Sequence, residues 1–177
     1  MKSEVETSFE EAVQGLIAGD FSRLAPLFET QNEDSPCPIV QWYESGLFDS
    51  EPKALDEAFT CACFNGYTDV IEYLLTNGVN PNGGINTGSN AFHWAANRGQ
   101  LKAVEILIRN KANLEIQNSY GGTVLGGTVW SAIHEQRPDH LWIIKVLLDA
   151  GAEVGAANYP SGNEQVDELL REYGTGT

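Results

Sequence analysis

The chain repeats itself, and that constrains its fold more than any other feature. Asn65-Gly66 and Arg98-Gly99 stand 33 residues apart, as do Leu74-Leu75 and Leu107-Ile108. Laid over one another, Ala58-Phe59-Thr60-Cys61-Ala62-Cys63-Phe64-Asn65-Gly66 matches Ala91-Phe92-His93-Trp94-Ala95-Ala96-Asn97-Arg98-Gly99. Each stretch runs on into an apolar helix. A third copy closes with Ile143-Ile144-Lys145-Val146-Leu147-Leu148-Asp149-Ala150-Gly151-Ala152. Leu107 and Leu147 are 40 residues apart, so this copy carries about seven extra residues, within 130–140. A unit this short cannot bury both of its faces, whereas a stack of such units can.

Each copy reads as a helix, a tight glycine turn, a second helix and a polar excursion. In the middle copy Ala95-Ala96 is the packing face of a short first helix. Gly99 supplies a residue free to take the left-handed conformation. Leu101, Val104, Leu107 and Ile108 form one apolar stripe at helical spacing. Asn80-Pro81-Asn82-Gly83-Gly84 and Asn118-Ser119-Tyr120-Gly121-Gly122 are turn chemistry. Residues 163–173 form an amphipathic helix with Val166, Leu169 and Leu170 inward, as a C-terminal cap requires; a loose tail is expected to Thr177.

These residues resemble the ankyrin repeat family, in particular its small bacterial-type members. The match lies in Asn90-Ala91-Phe92-His93, Ala95-Ala96, Gly99 and Ala112-Asn113-Leu114-Glu115 of the middle copy. Gly78-Val79-Asn80-Pro81-Asn82 carries it in the first copy, and Thr123-Val124-Leu125-Gly126 with Gly151-Ala152-Glu153-Val154 in the third. It covers residues 53–158. The individual copies are degenerate: Thr60 and Gly126 occupy the histidine slot, and Lys111 replaces the closing glycine of the middle unit. The resemblance implies an all-α solenoid of stacked helix-turn-helix units with hairpin-like loops and helical caps. The expected division is 1–52, a divergent N-terminal helical cap or repeat with an insertion; 53–85 and 86–118, two repeats; 119–158, a third repeat with the extra residues; and 159–177, the capping helix and tail. Within 1–52, residues 9–20 and 21–28 read as a divergent helix pair turning at Gly19-Asp20. Gly19 and Gly66 are 47 residues apart, and the surplus falls in 31–52, where 39–47 forms an extra short helix.

Charge narrows the function. The chain of 177 residues holds 25 acidic and 10 basic side chains, a net of −15, which argues against direct contact with nucleic acid or an anionic membrane surface. Residues 1–57 hold 13 acidic and three basic side chains, so the N-terminal third is the strongly acidic part. No apolar run is long enough to span a membrane and no secretory leader is visible, so a cytoplasmic location is expected. Cys37, Cys61 and Cys63 lack the spacing of a disulfide framework or zinc site, and read as small core residues.

Catalytic constellations are missing. There is no nucleophile elbow, no phosphate loop and no cysteine with an assignable base, so a non-catalytic chain with no cofactor is expected. His93 falls in the family's histidine slot, where the ring bonds the backbone of the neighbouring loop. His134 and His140 read as surface residues of a polar loop, with a metal site as the outside alternative.

What remains is recognition of a protein partner by a monomer. The resemblance implies a surface made of loop tips and the exposed side of each first helix. On this chain those positions include Asp56, Phe64, Asn86, Thr87, Ser89, Asn97, Arg98, Ser119, Tyr120 and Trp130, with Trp142 as a further aromatic candidate. Aromatic side chains are favoured interface anchors, but Trp130 and Trp142 could instead pack on each other to hold the insertion. The alternative function is an acidic inhibitor or immunity-type protein that neutralises a basic enzyme or nucleic-acid binder by charge complementarity.

Overall fold

The computed structural model describes residues 4–30, 35–84 and 88–174. Its helices are α1 (Glu4–Ala18), α2 (Pro38–Glu44), α3 (Pro52–Asn65), α4 (Thr68–Thr76), α5 (Ala91–Asn97), α6 (Leu101–Arg109), α7 (Val124–His134), α8 (His140–Asp149) and α9 (Glu164–Gly174). Two layers result. The first helices α1, α3, α5 and α7 stack in sequence, and the second helices α2, α4, α6, α8 and α9 stack behind them. One hydrophobic core runs the length of the array.

The repeat chemistry is visible at each helix end. Gly66 and Gly99 take φ of +79° and +76° after α3 and α5. The second helices close with paired bonds from beyond their ends. Val79 N donates to Leu74 O, Ala112 N to Leu107 O and Ala152 N to Leu147 O, each at 3.0 Å. This motif needs a left-handed residue, supplied by Gly78 and Gly151 in the outer copies and by Lys111, at φ +59°, in the middle one. A side chain there costs about 1 kcal/mol. Lys111→Gly is therefore expected to raise stability by up to about 1 kcal/mol, reduced by the looser unfolded chain. A thermal melt checks it, and a lowered midpoint would show that the lysine side chain contributes more than its backbone costs.

The ends depart from the expected plan in an instructive way. Residues 21–28 do not form a second helix. They are two 3₁₀ turns, Phe21–Arg23 and Ala25–Phe28, with Phe21 and Phe28 buried. The second-helix position is taken by α2, which packs on α4 and buries Ile39, Val40 and Trp42. The stretch expected as an extra helix is thus the missing half of the N-terminal unit, displaced by a longer connection. At the other end a 3₁₀ turn, Val154–Ala156, sits on α7 while α9 sits on α8, so the cap is a half-unit with its first helix shrunk to one turn. Asn163 caps α9 through bonds from Gln165 N and Val166 N. The tail expected to be loose, 175–177, lies outside the described residues.

The seven-residue surplus of the third repeat is mostly helix: α7 has 11 residues where α5 has seven, α8 has 10 where α6 has nine, and the turn 135–139 is longer than 98–100 by the remainder.

Candidate functional site

The polar loops are tied to one another by side chains at repeat spacing. Asn113 N donates to Asn82 Oδ1 at 2.8 Å, and Glu153 N to Glu115 Oε1 at 2.8 Å. Ser119 N donates to Gly88 O at 2.8 Å. Each loop thus hangs on the one before it.

The loop after α6 is the most fully built. Asn118 Oδ1 accepts from Tyr120 N at 3.0 Å and Gly122 N at 2.9 Å. Asn118 N donates to Gly122 O at 3.0 Å, Gly121 N donates to Asn118 O at 2.9 Å, and an antiparallel bridge joins Gln117 to Thr123. Gly121, at φ +79°, makes the turn. At its tip stands Tyr120, 91% exposed. An aromatic ring on a pre-set backbone loses little conformational freedom on binding.

His93 anchors this loop from inside. Asn90 caps α5 by accepting from His93 N at 3.1 Å. The buried imidazole places Nδ1 2.7 Å from Asn90 Oδ1 and Nε2 3.0 Å from the Gly122 carbonyl. Its expected role of bonding a neighbouring loop is what the geometry shows.

His140 departs from expectation. It is buried, not a surface loop residue. Its Nδ1 accepts from Arg137 N at 3.3 Å and its Nε2 donates to Asn97 O at 3.1 Å, so it clamps the longer turn to α5. Among the described residues no three His, Cys, Asp or Glu side chains form a group able to hold a metal. His134 stacks on Trp130 at 4.5 Å between ring centroids.

Burial lowers the pKa of both His93 and His140 from 6.5, against the opposing pull of their backbone bonds to Gly122 and Asn97. The unfolded chain therefore takes up protons first as pH falls. Stability contributed by the neutral rings is present above 6.5 and is lost below it. Guanidinium unfolding at pH 7.5 and 6.0 is expected to show a loss on the order of 1 kcal/mol at the lower pH. An unchanged or higher midpoint would contradict it.

Phe64, Asn97 and Trp130 occupy the same position in successive first helices, 33 residues apart. Their surroundings differ. Phe64 is half-buried, edge-on to Phe21 and Trp94, with the Arg98 guanidinium 4.4 Å above its ring. Asn97 is half-buried against Gly127. Trp130 is 50% exposed. The column is thus filled at one end and open at the other.

The remaining candidates scatter. Asp56 is half-buried beside Gly83, and burial raises its carboxyl pKa. Ser89 is buried, whereas Ser119 is exposed. Asn86 and Thr87 lie outside the described residues. Trp142 is 60% exposed on α8, in the second layer, so it does not pair with Trp130. Among the described candidates on the loop tips and first helices, Ser119, Tyr120 and Trp130 are exposed. Arg137 was not among the candidates, yet it lies against Gly99 and close enough to Arg98 for the two charges to repel. No motif marks it, because the contact is made across a turn of the neighbouring repeat.

The comparisons agree with this architecture. The model for ankyrin repeats (3 copies) matches residues 58–158. A putative ankyrin repeat protein of Acanthamoeba polyphaga mimivirus is 40% identical over 57 residues, 32% of this chain and 14% of that protein. The chain thus spans only a small part of that relative's length. The crystal structure of an ankyrin repeat domain from Acinetobacter baumannii AYE superposes with a TM-score of 0.62 over 93% of this chain and 97% of that one, at 18% identity. The chain belongs to the ankyrin repeat family. Ankyrin repeats are generally protein–protein interaction modules and typically non-catalytic scaffolds. Among the described residues no helix is long and apolar enough to cross a membrane.

Proposed function

We propose that this chain is a non-catalytic, monomeric, cytoplasmic scaffold that binds a protein partner through its loop tips and the open side of its first helices. The observation that carries the reading is Tyr120, displayed at 91% exposure on a loop whose backbone is bonded in place by Asn118, Gly88 and His93. Exposed aromatics on rigid supports are the side chains that dominate interface energetics. Trp130 extends the same surface onto α7. The net charge of −15 favours fast encounter with a basic partner, and steers it without supplying most of the affinity.

The test is affinity capture from lysate of the source cells, with the immobilised chain and its Tyr120→Ala/Trp130→Ala variant, washed at low and then high salt. A partner held through high salt by the native chain, and weakened at least 30-fold (about 2 kcal/mol) in a variant that melts normally, is the expected result. Equal binding by the variant would move the site elsewhere. A basic protein released by salt would favour the inhibitor reading and the acidic residues 1–57.

A further inference from the structure

The first-helix ends of the array carry two arginines whose guanidinium groups make no ion pair among the described residues. Arg98 caps the C-terminus of α5, and Arg137 lies in the turn after α7. They are in a chain with 25 carboxylates, yet neither forms an ion pair among the described residues. Arg23, Arg109 and Lys145 pair with Asp20, Glu72 and Asp149, and Arg171 donates to Asp167 O. The Arg98 guanidinium carbon lies 4.4 Å from the centre of the Phe64 ring, a cation–π contact that leaves its N–H donors unassigned. Arg137 has its stem packed on Gly99, and its buried Nε makes no hydrogen bond. A buried donor without a partner is costly, and two guanidinium groups this close repel. The negative ends of α5 and α7 offset the repulsion in part but supply no acceptor to these donors. Glu135 acts on Arg98 through space and does not reach it as an ion pair.

From this arrangement, we infer that the Arg98–Arg137 pair, beside Phe64, is a receiving site for a carboxylate side chain of the protein partner. The inference rests on the reading of this face as the binding surface. It specifies that the partner, whatever its net charge, brings an acidic residue with an apolar neighbour to this end of the groove. Two guanidinium groups on adjoining turns, neither paired with a carboxylate of this chain, suit a carboxylate, which accepts bidentate bonds. The ring of Phe64 backs Arg98 from beneath.

The experiment follows the side-chain Nε–Hε signals of the five arginines in the ¹⁵N-labelled full chain. The probes are the peptides acetyl-Glu-Phe-Glu-amide and acetyl-Gln-Phe-Gln-amide, at matched ionic strength. Saturable shifts of the Arg98 and Arg137 signals with the glutamate peptide are expected, with binding at least five-fold weaker for the glutamine peptide. The Arg23, Arg109 and Arg171 signals should stay in place. Arg98→Gln and Arg137→Gln, each made separately, should weaken the glutamate peptide at least five-fold in variants that still melt cooperatively. If one of them fails to fold, the other still decides. Equal response of all five arginines, equal binding of the two peptides, or no saturation overturns the site. So does saturation by a phosphoserine peptide alone. These outcomes are independent of the Tyr120/Trp130 capture test: a partner lost there while the arginines ignore the peptide would leave the scaffold reading intact and sink this one.

Discussion

Leu107→Ala is expected to cost about 2–5 kcal/mol, the range for deleting a fully buried leucine side chain. Leu107 has no exposed surface and lies on α6, between α4 and α8 in the second layer. It therefore contributes to two repeat interfaces at once, and its carbonyl also accepts the closing bond from Ala112 N. The neighbouring helices are held by their own turns and cannot close fully over the void. For a domain of this size the thermal midpoint should fall by on the order of 5–15 °C. Stability in an array is a sum over neighbouring interfaces. The loss should thus appear as opening around the middle repeat, which hydrogen exchange along α4, α6 and α8 would resolve. A loss below about 1 kcal/mol would mean that the stripe has been misassigned.

The second large effect is expected from His93→Ala, at about 3–5 kcal/mol. The ring is fully buried, so its removal leaves a cavity. It also strips the part-buried Gly122 carbonyl of the ring N–H that faces it. The consequence reaches the surface, because Gly122 closes the loop that displays Tyr120. Amide exchange at Tyr120 and Gly122 should accelerate more than at the equivalent Asn82 loop, which has no histidine beneath it. If the variant loses stability but the Tyr120 loop exchanges at its native rate, the anchoring role assigned to His93 is wrong. The same variant should lose part of the pH dependence between 7.5 and 6.0, leaving the share of His140.

The array itself was legible because its signals are local and recurrent. A glycine 33 residues after a glycine, and an apolar stripe after each, place the helices of 58–158 without any knowledge of what they touch. The burial of Cys61, Cys63 and Ala95-Ala96, and the bond from His93 to the next loop, follow from position in the unit. The N-terminal unit is legible only in part. Its first helix shows as α1, but the pattern places the partner helix in 21–28, directly after the turn, whereas the chain first winds through two 3₁₀ turns and supplies α2 instead. A period interrupted by a longer connection carries no signal for where the second half resumes.

What the sequence by itself determined is the family and the all-α repeat fold, since each depends on a pattern within one unit. What only the tertiary structure decided is which candidates stand open. Phe64, Asn97 and Trp130 are equivalent by spacing, yet one is covered by Arg98, one lies against Gly127 and one faces outward. The burial of His140, the exposure of Tyr120 on a bonded loop and the approach of Arg137 to Arg98 belong to the same class. All of them are set by side chains about 30 to 40 residues away in sequence, brought close only because each repeat stacks on the last.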